Sequence, residues 1–143
     1  MHALLYRSRA RPGLLAHDLN AIIASGEAKN PARDLTGLLL YAEMDAVPGA
    51  PGQFLQWIEG PKESVEDMYG TIESDERHTA VEVLGRGPTA ELAGDAEALL
   101  DREGRVFPIW SLGMVRLSEL PATLDGFLRF AGEWDGRALP RVS

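Results

Sequence analysis

The stretch Gln53–Gly60 reads QFLQWIEG, and it decides how the rest of the chain can fold. Its aromatic and β-branched residues predict a strand over residues 54–59. Side chains of a strand alternate between the two faces of a sheet, so Phe54, Gln56 and Ile58 share one face. A buried amide between two large apolar residues is unfavourable unless its hydrogen bonds are satisfied. The strand therefore predicts a partner for Gln56.

Tyr6 is the candidate partner. It lies on a first predicted strand, residues 3–8, and shares its face with Leu4 and Ser8. A buried tyrosine usually finds a hydrogen-bond partner for its hydroxyl. Spacing alone leaves two interpretations open: a structural Tyr–Gln pair inside an ordinary core, or a pair that meets a ligand.

The other elements follow from periodicity and from glycine and proline positions. Further strands are predicted over residues 35–41, 79–84 and 107–115. A first helix begins at Pro12-Gly13 and ends at Gly26, with Lys29-Asn30-Pro31 and residues 43–53 as loops. A second helix follows Gly60-Pro61. Gly85, Gly87 and Pro88 are expected to interrupt the chain, after which Thr89 and Ser118 are the expected caps of two more helices. The expected core-facing stripes are Leu15, Leu19, Ile22 and Ile23; Val65, Met68, Tyr69 and Ile72; Leu92, Ala96, Leu99 and Leu100; and Leu120, Leu124, Phe127 and Leu128.

The order β-α-β-β-α-β predicts an α+β fold. It is the ferredoxin-like pattern, in which one sheet carries two crossover helices on one face, followed here by an added strand and a C-terminal helix. The 143 residues fit a single domain, 1–143, with a core over about 1–116 and a C-terminal helical extension over about 117–143.

Composition excludes several classes of function. A net charge of −8 disfavours nucleic-acid binding. The absence of cysteine removes disulfides and thiolate chemistry, and the three histidines lie too far apart in sequence to predict a metal site. No apolar run is long enough for a membrane span, and the N-terminus does not resemble a signal peptide, so we expect a cytoplasmic protein with no membrane contact.

Several motifs occur in a fixed order over most of residues 3–115: LLYRS at 4–8, TGLLLY at 36–41, FLQWIEG at 54–60, DERH at 75–78, RVF at 105–107 and WSLG at 110–113. Together they resemble the BLUF family (blue-light sensing using FAD). The resemblance implies a ferredoxin-like sheet, FAD held between the two crossover helices (with FMN as the alternative), and a photoreceptor rather than an enzyme.

The resemblance also implies roles for single residues. Tyr6 would donate an electron to photoexcited flavin, and Gln56 would bridge that tyrosine and flavin N5/O4. Asn30 would pair with the polar edge of the ring. The remaining implied cofactor contacts are Ile22 and Ile72 on the two sides of the ring, and Lys29, Asp75 and His78 near the ribityl and phosphate chain. Trp110, Leu112 and Met114 are the implied signal relay.

Some features depart from the family pattern. Leu112 replaces a methionine associated with signal output, and Thr71 replaces a basic residue near the phosphate, which leaves FAD and FMN both open. Residues 43–52 and 86–104 form longer connections than in relatives, either as tolerated insertions or as contacts to a partner. Signalling would pass through the last strand and the helix at 118–131 to a separate signalling protein or a homo-oligomer. The alternatives are a flavin-free interaction module and an acylphosphatase-type enzyme, although residues 7–13 lack a glycine cradle for phosphate.

Overall fold

β3 (Gln53–Gly60) is the central strand of a five-stranded sheet in the computed structural model, which describes residues 1–10, 16–43, 52–74 and 78–134. The other strands are β1 (His2–Ala10), β2 (Thr36–Glu43), β4 (His78–Pro88) and β5 (Trp110–Arg116). Their order is β4-β1-β3-β2-β5. The β4–β1, β1–β3 and β3–β2 pairs are antiparallel, and the β2–β5 pair is parallel. The predicted ferredoxin-like α+β fold with an added strand is confirmed.

Both faces of the sheet are covered. On one face, β1 and β3 contribute Leu4, Tyr6 and Ile58 to a cluster with Val65 and Ile72 of helix α2 (Lys62–Glu73). Helix α1 (Ala16–Ala32) packs beside it, against β5. The opposite face carries helix α4 (Leu124–Glu133), whose buried residues pack against the residues of opposite strand parity: Leu5, Leu38, Leu40, Leu55 and Trp57. The near-continuous apolar sequence of β2 is thereby explained, because both of its faces are buried.

Helix α1 continues well past its predicted end at Gly26. Lys29, Asn30 and Pro31 lie in its last turns, so the loop predicted there was wrong. The helix ends where Asp34 adopts φ 58° and the carbonyl of Asn30 accepts hydrogen bonds from the N–H groups of Arg33 and Leu35. Of the predicted stripe of α1, Leu15 and the side chain of Leu19 lie outside the described residues.

The predicted interruption at Gly85, Gly87 and Pro88 was also wrong, because β4 pairs with β1 through all three. Two register shifts in that pairing show how the strand accommodates them: bulges let an irregular strand keep its ladder. Proline is tolerated because β4 is an edge strand. Thr89 does not cap the following helix, α3 (Thr89–Ala93). Pro88 is at the cap position, and within the described part of the chain the buried Thr89 hydroxyl has no hydrogen-bond partner.

The C-terminal part differs from prediction in two boundaries. Ser118 lies in a short 3₁₀ turn, and α4 is instead capped by Thr123, whose Oγ1 accepts a hydrogen bond of 3.0 Å from the N–H of Gly126. β5 begins at Trp110 rather than at residue 107, because the N–H of Phe107 bonds to the Glu59 carboxylate instead of to a neighbouring strand. Among the four described segments, no helix is both long and apolar enough to cross a membrane.

Candidate functional site

The predicted partner of Gln56 is present. Tyr6 and Gln56 are cross-strand neighbours of β1 and β3, and Gln56 Nε2 donates a hydrogen bond of 2.5 Å to the Tyr6 hydroxyl oxygen. Trp110 at the start of β5 donates its indole N–H to Gln56 Oε1 at 3.0 Å. All three side chains are buried. The sequence predicts the tyrosine–glutamine pair, but it does not predict that Trp110 completes it.

The chemistry of the indole fixes the orientation of the Gln56 amide. An indole N–H can only donate, so the amide oxygen has to face Trp110 and the amide nitrogen has to face Tyr6. The Tyr6 hydroxyl oxygen therefore accepts the hydrogen bond from the Gln56 amide nitrogen. The amide of Gln56 is thus held between a donor and an acceptor, and rotating it would break both bonds.

A cleft lies against this pair, between α1 and α2. Its volume is about 750 Å³ when the space that opens to solvent is counted. Ile22 of α1 and Ile72 of α2 form part of its walls, and Tyr6 and Gln56 form part of its floor. Apolar side chains on two facing helices are suited to bind a planar aromatic ligand between them.

Asn30 gives the cleft an unsatisfied polar group. Its side chain is buried, it lines the cleft, and its Oδ1 atom has no hydrogen-bond partner among the residues that the structure describes. Buried amide oxygens are nearly always paired, so an acceptor left open at a cleft wall indicates a ligand that carries a donor. Asn30 is in place because α1 extends beyond its predicted end.

The mouth of the cleft is basic. Lys29 and Arg33 are exposed and both line the cleft. Lys29 lies in the last turns of α1, and Arg33 lies four residues later, in the turn that follows the helix. Thr71 lines the cleft from the opposite helix, α2, and its hydroxyl donates a hydrogen bond of 3.2 Å to the backbone carbonyl of Asp67. In a chain of net charge −8, two cations at one opening favour an anionic group on the ligand.

The structure brings six of the eight predicted cofactor contacts to this one cleft: Tyr6, Ile22, Lys29, Asn30, Gln56 and Ile72. Asp75 lies outside the described residues. His78 begins β4 opposite Ala10, but its side chain is outside the description as well. The three predicted relay residues pack in one cluster beneath α1: Trp110, Leu112 and Met114.

Sequence reasoning missed several residues that line the cleft: Ser25, Gly26, Arg33, Leu39, Phe54 and Met68. For Arg33 a signal existed, since it lies four residues after Lys29 and shares its face if the helix continues. The prediction that the helix ends at Gly26 concealed that signal. Gly26 itself lies against the Trp110 ring.

Hydrogen bonds made by the buried residues Glu59 and Arg105 hold the segment that leads into Trp110. Glu59, at the end of β3, accepts hydrogen bonds from the backbone N–H groups of Val106 at 2.7 Å and Phe107 at 2.8 Å. Arg105, which is 3% exposed, donates to Asp34 Oδ1 at 2.7 Å and to the Glu59 carbonyl at 3.3 Å. Burial raises the pKa of the Glu59 carboxyl to about 7, although the two N–H groups and the Arg105 charge oppose the rise.

Comparison with known proteins gives a consistent result. A protein-family model described as "BLUF: Sensors of blue-light using FAD" matches residues 1–93. Curated relatives include the photoactivated adenylate cyclase subunit beta of Euglena longa, 35% identical over 94 residues, and its counterpart from Euglena gracilis, 34% identical over 88 residues. These matches span 66% and 62% of this chain but only 10% and 9% of the relatives' own length.

Solved structures agree on the fold. BlrB, described as a BLUF protein in its dark state, aligns with a TM-score of 0.62 and 27% identity, covering 90% of this chain and 82% of that chain. A bacterial light-regulated adenylyl cyclase aligns with a TM-score of 0.60 and 24% identity over 92% of this chain and 33% of that one. The second likeness supports the fold alone.

Proposed function

The chain belongs to the BLUF family, the sensors of blue light using FAD, and from this premise we propose that it is a flavin-binding photoreceptor whose photochemistry is carried by Tyr6 and Gln56. A BLUF domain is a sensor module rather than an enzyme. The cyclase names of the Euglena relatives describe chains of which this one spans about a tenth. The observation that carries the proposal is the buried Tyr6–Gln56–Trp110 chain of hydrogen bonds beside the cleft between α1 and α2.

The residues present fit a flavin. Ile22 and Ile72 offer apolar contact to the two sides of a planar ring. The Oδ1 of Asn30, which no described residue pairs with, is an acceptor for an imide N–H, and an amide matches the alternating donors and acceptors of the ring's polar edge. Lys29 and Arg33 would meet a phosphate at the mouth of the cleft. We propose FAD, as in the family description, with FMN served by the same contacts.

Tyr6 and Gln56 would supply the switch. A bound flavin provides absorption of blue light and, when excited, a strong oxidant. Tyr6 would give up an electron and its phenolic proton together and recover both on charge recombination, so that no net oxidation remains. Gln56 suits the bridge because an amide both donates and accepts, and it would come to rest with its hydrogen bonds rearranged. Since no covalent bond changes, the dark state would return thermally.

The signal would leave through β5. Rearrangement of the Gln56 amide removes the acceptor that Trp110 now uses, and Trp110 is the first residue of that edge strand. Leu112 and Met114 follow on the same face and pack in the same cluster as Trp110. We propose that a separate signalling protein or a second copy of the chain responds to this movement, which is a local hydrogen-bond change biasing a two-state element.

Absorption spectra of the flavin-loaded protein and three variants test the proposal. Tyr6→Phe removes the redox-active hydroxyl and Gln56→Leu removes the amide, with little change in volume. Both should bind flavin and lose the reversible light-induced red shift. Tyr41→Phe is the matched control, because Tyr41 is also a buried tyrosine on the same face but does not line the cleft; it should photocycle like the parent. Normal photocycles in both Tyr6→Phe and Gln56→Leu would refute the assignment.

A further inference from the structure

Gly26 lies in the interior of α1 and faces the indole ring of Trp110. A methyl group at this position would lie 2.4 Å from Trp110 Cη2 and 2.5 Å from Cζ3, which is far inside van der Waals contact. The two atoms are part of a rigid ring whose N–H is bonded to Gln56, so the ring cannot move away without breaking that bond. Any residue other than glycine would displace the indole.

Backbone conformation does not explain the glycine. Among the described residues, the glycines with positive φ are Gly37, Gly87, Gly94 and Gly104, and Gly26 is not one of them. Glycine in a helix interior is destabilising relative to alanine. Gly70 in α2 provides the contrast, because a methyl group there would meet no atom of the described residues within 4 Å. The feature that distinguishes Gly26 is therefore the space that its missing side chain leaves for Trp110.

We infer that Gly26 is a positioning residue for the photochemical pair: the space above it holds the Trp110 indole inward, and the indole in turn fixes the amide orientation of Gln56. The steps are few. The indole donates to Gln56 Oε1, so Nε2 is directed at the Tyr6 hydroxyl. With the indole displaced, Oε1 loses its donor, and the opposite orientation of the amide is no longer disfavoured. The photochemical consequence rests on the function proposed above, whereas the placement of Trp110 does not.

The placement is tested without flavin or light. The experiment follows the indole N–H signals of the three tryptophans by NMR, with that of Trp110 to be assigned through its loss in Trp110→Phe. In the parent and in Gly70→Ala this N–H should exchange slowly with solvent. In Gly26→Ala its exchange should be faster by roughly tenfold or more, the equivalent of losing about one net hydrogen bond. Trp57 and Trp134 serve as internal references. An unchanged Trp110 signal in Gly26→Ala would overturn the inference.

A second pair of variants covers the case in which Gly26→Ala is poorly folded. In a Trp110→Ala background the collision partner is absent, so Gly26→Ala should raise the Tm, as Gly70→Ala should do in the parent. If Gly26→Ala lowered the Tm equally in both backgrounds, the indole would not be what it displaces, and the inference would fail.

The photocycle separates a positioning role from a merely structural one. In flavin-loaded protein, Gly26→Ala should recover in the dark at the same rate as Trp110→Phe, which lacks the indole donor. The double variant Gly26→Ala/Trp110→Phe should recover at that same rate. Gly70→Ala should recover like the parent. Different recovery rates for Gly26→Ala and Trp110→Phe would overturn the link to Gln56. A parent protein that shows no light response would refute the proposed function, while the exchange measurement would still decide where Trp110 lies.

Discussion

Glu59→Gln should change how the stability of the domain depends on pH. Glu59 is fully buried, and its carboxylate accepts the N–H groups of Val106 and Phe107. Burial raises its pKa from 4.5 to about 7, so the folded chain holds a proton that the unfolded chain has released. The stabilising contribution of this group is therefore fully present below pH 4.5 and is lost as pH rises through 7.

The magnitude follows from the size of the shift. At about 1.4 kcal/mol per pKa unit, the rise from 4.5 to about 7 corresponds to about 3 kcal/mol, of which about 2.5 kcal/mol falls between pH 5 and 8. Glutamine cannot ionise, so the variant lacks this dependence. Its overall stability should also fall by about 1–3 kcal/mol, because its amide NH₂ replaces one of the two acceptor oxygens.

Urea unfolding at pH 5 and pH 8 measures both effects. The free energy of unfolding of the parent should drop between the two pH values by about 2.5 kcal/mol more than that of Glu59→Gln. Comparing the variant with the parent cancels the contribution of the other carboxylates. Equal changes in the two proteins would refute the reasoning, as would a parent that gains stability relative to the variant when the pH is raised.

Two further predictions concern the face of the sheet opposite the cleft. Phe127→Ala should lower the free energy of unfolding by about 3–5 kcal/mol, because Phe127 is fully buried and its ring stacks on that of Trp57 with the centroids 5.7 Å apart. Phe130→Ala, at a half-buried site on the same helix, should lower it clearly less in the same urea titration. Equal losses of stability in the two variants would contradict the packing. Thr123→Ala should lower the free energy of unfolding by about 1 kcal/mol, because it removes the cap of α4. Ser118→Ala, at an exposed position, should leave the stability almost unchanged. The reverse order in thermal unfolding would favour Ser118 as the cap, as expected from the sequence.

The sequence predicts the sheet and its central pair well because strand signals are local. Alternation in β3 places Gln56 on a buried face, and the register of β1 then brings Tyr6 opposite to it. Neither inference needs long-range information beyond the strand order.

The prediction fails where one residue type has two uses. Gly26 and Gly85 both resemble the end of an element, yet one makes room for an indole and the other lies in a bulged strand. Proline at 31 similarly suggests a loop, although the last turn of a helix accommodates it. Only the position of Trp110, which lies 84 residues after Gly26 in the sequence, reveals why that glycine is needed.

The cap of the last helix shows the same limitation on a smaller scale. Ser118 and Thr123 are both good capping residues, and each precedes an apolar stripe that could begin a helix. Packing of Phe127 and Leu128 against the sheet decides between them, and that contact is absent from local sequence.

We propose that this domain binds flavin and that light rearranges the hydrogen bonds of Gln56. The light-minus-dark absorption spectrum of the flavin-loaded parent protein tests it most directly. We predict a small red shift of the flavin band under blue light that disappears in the dark and can be repeated. A protein that takes up no flavin on reconstitution, or one whose bound flavin shows identical spectra in light and dark, would contradict the account.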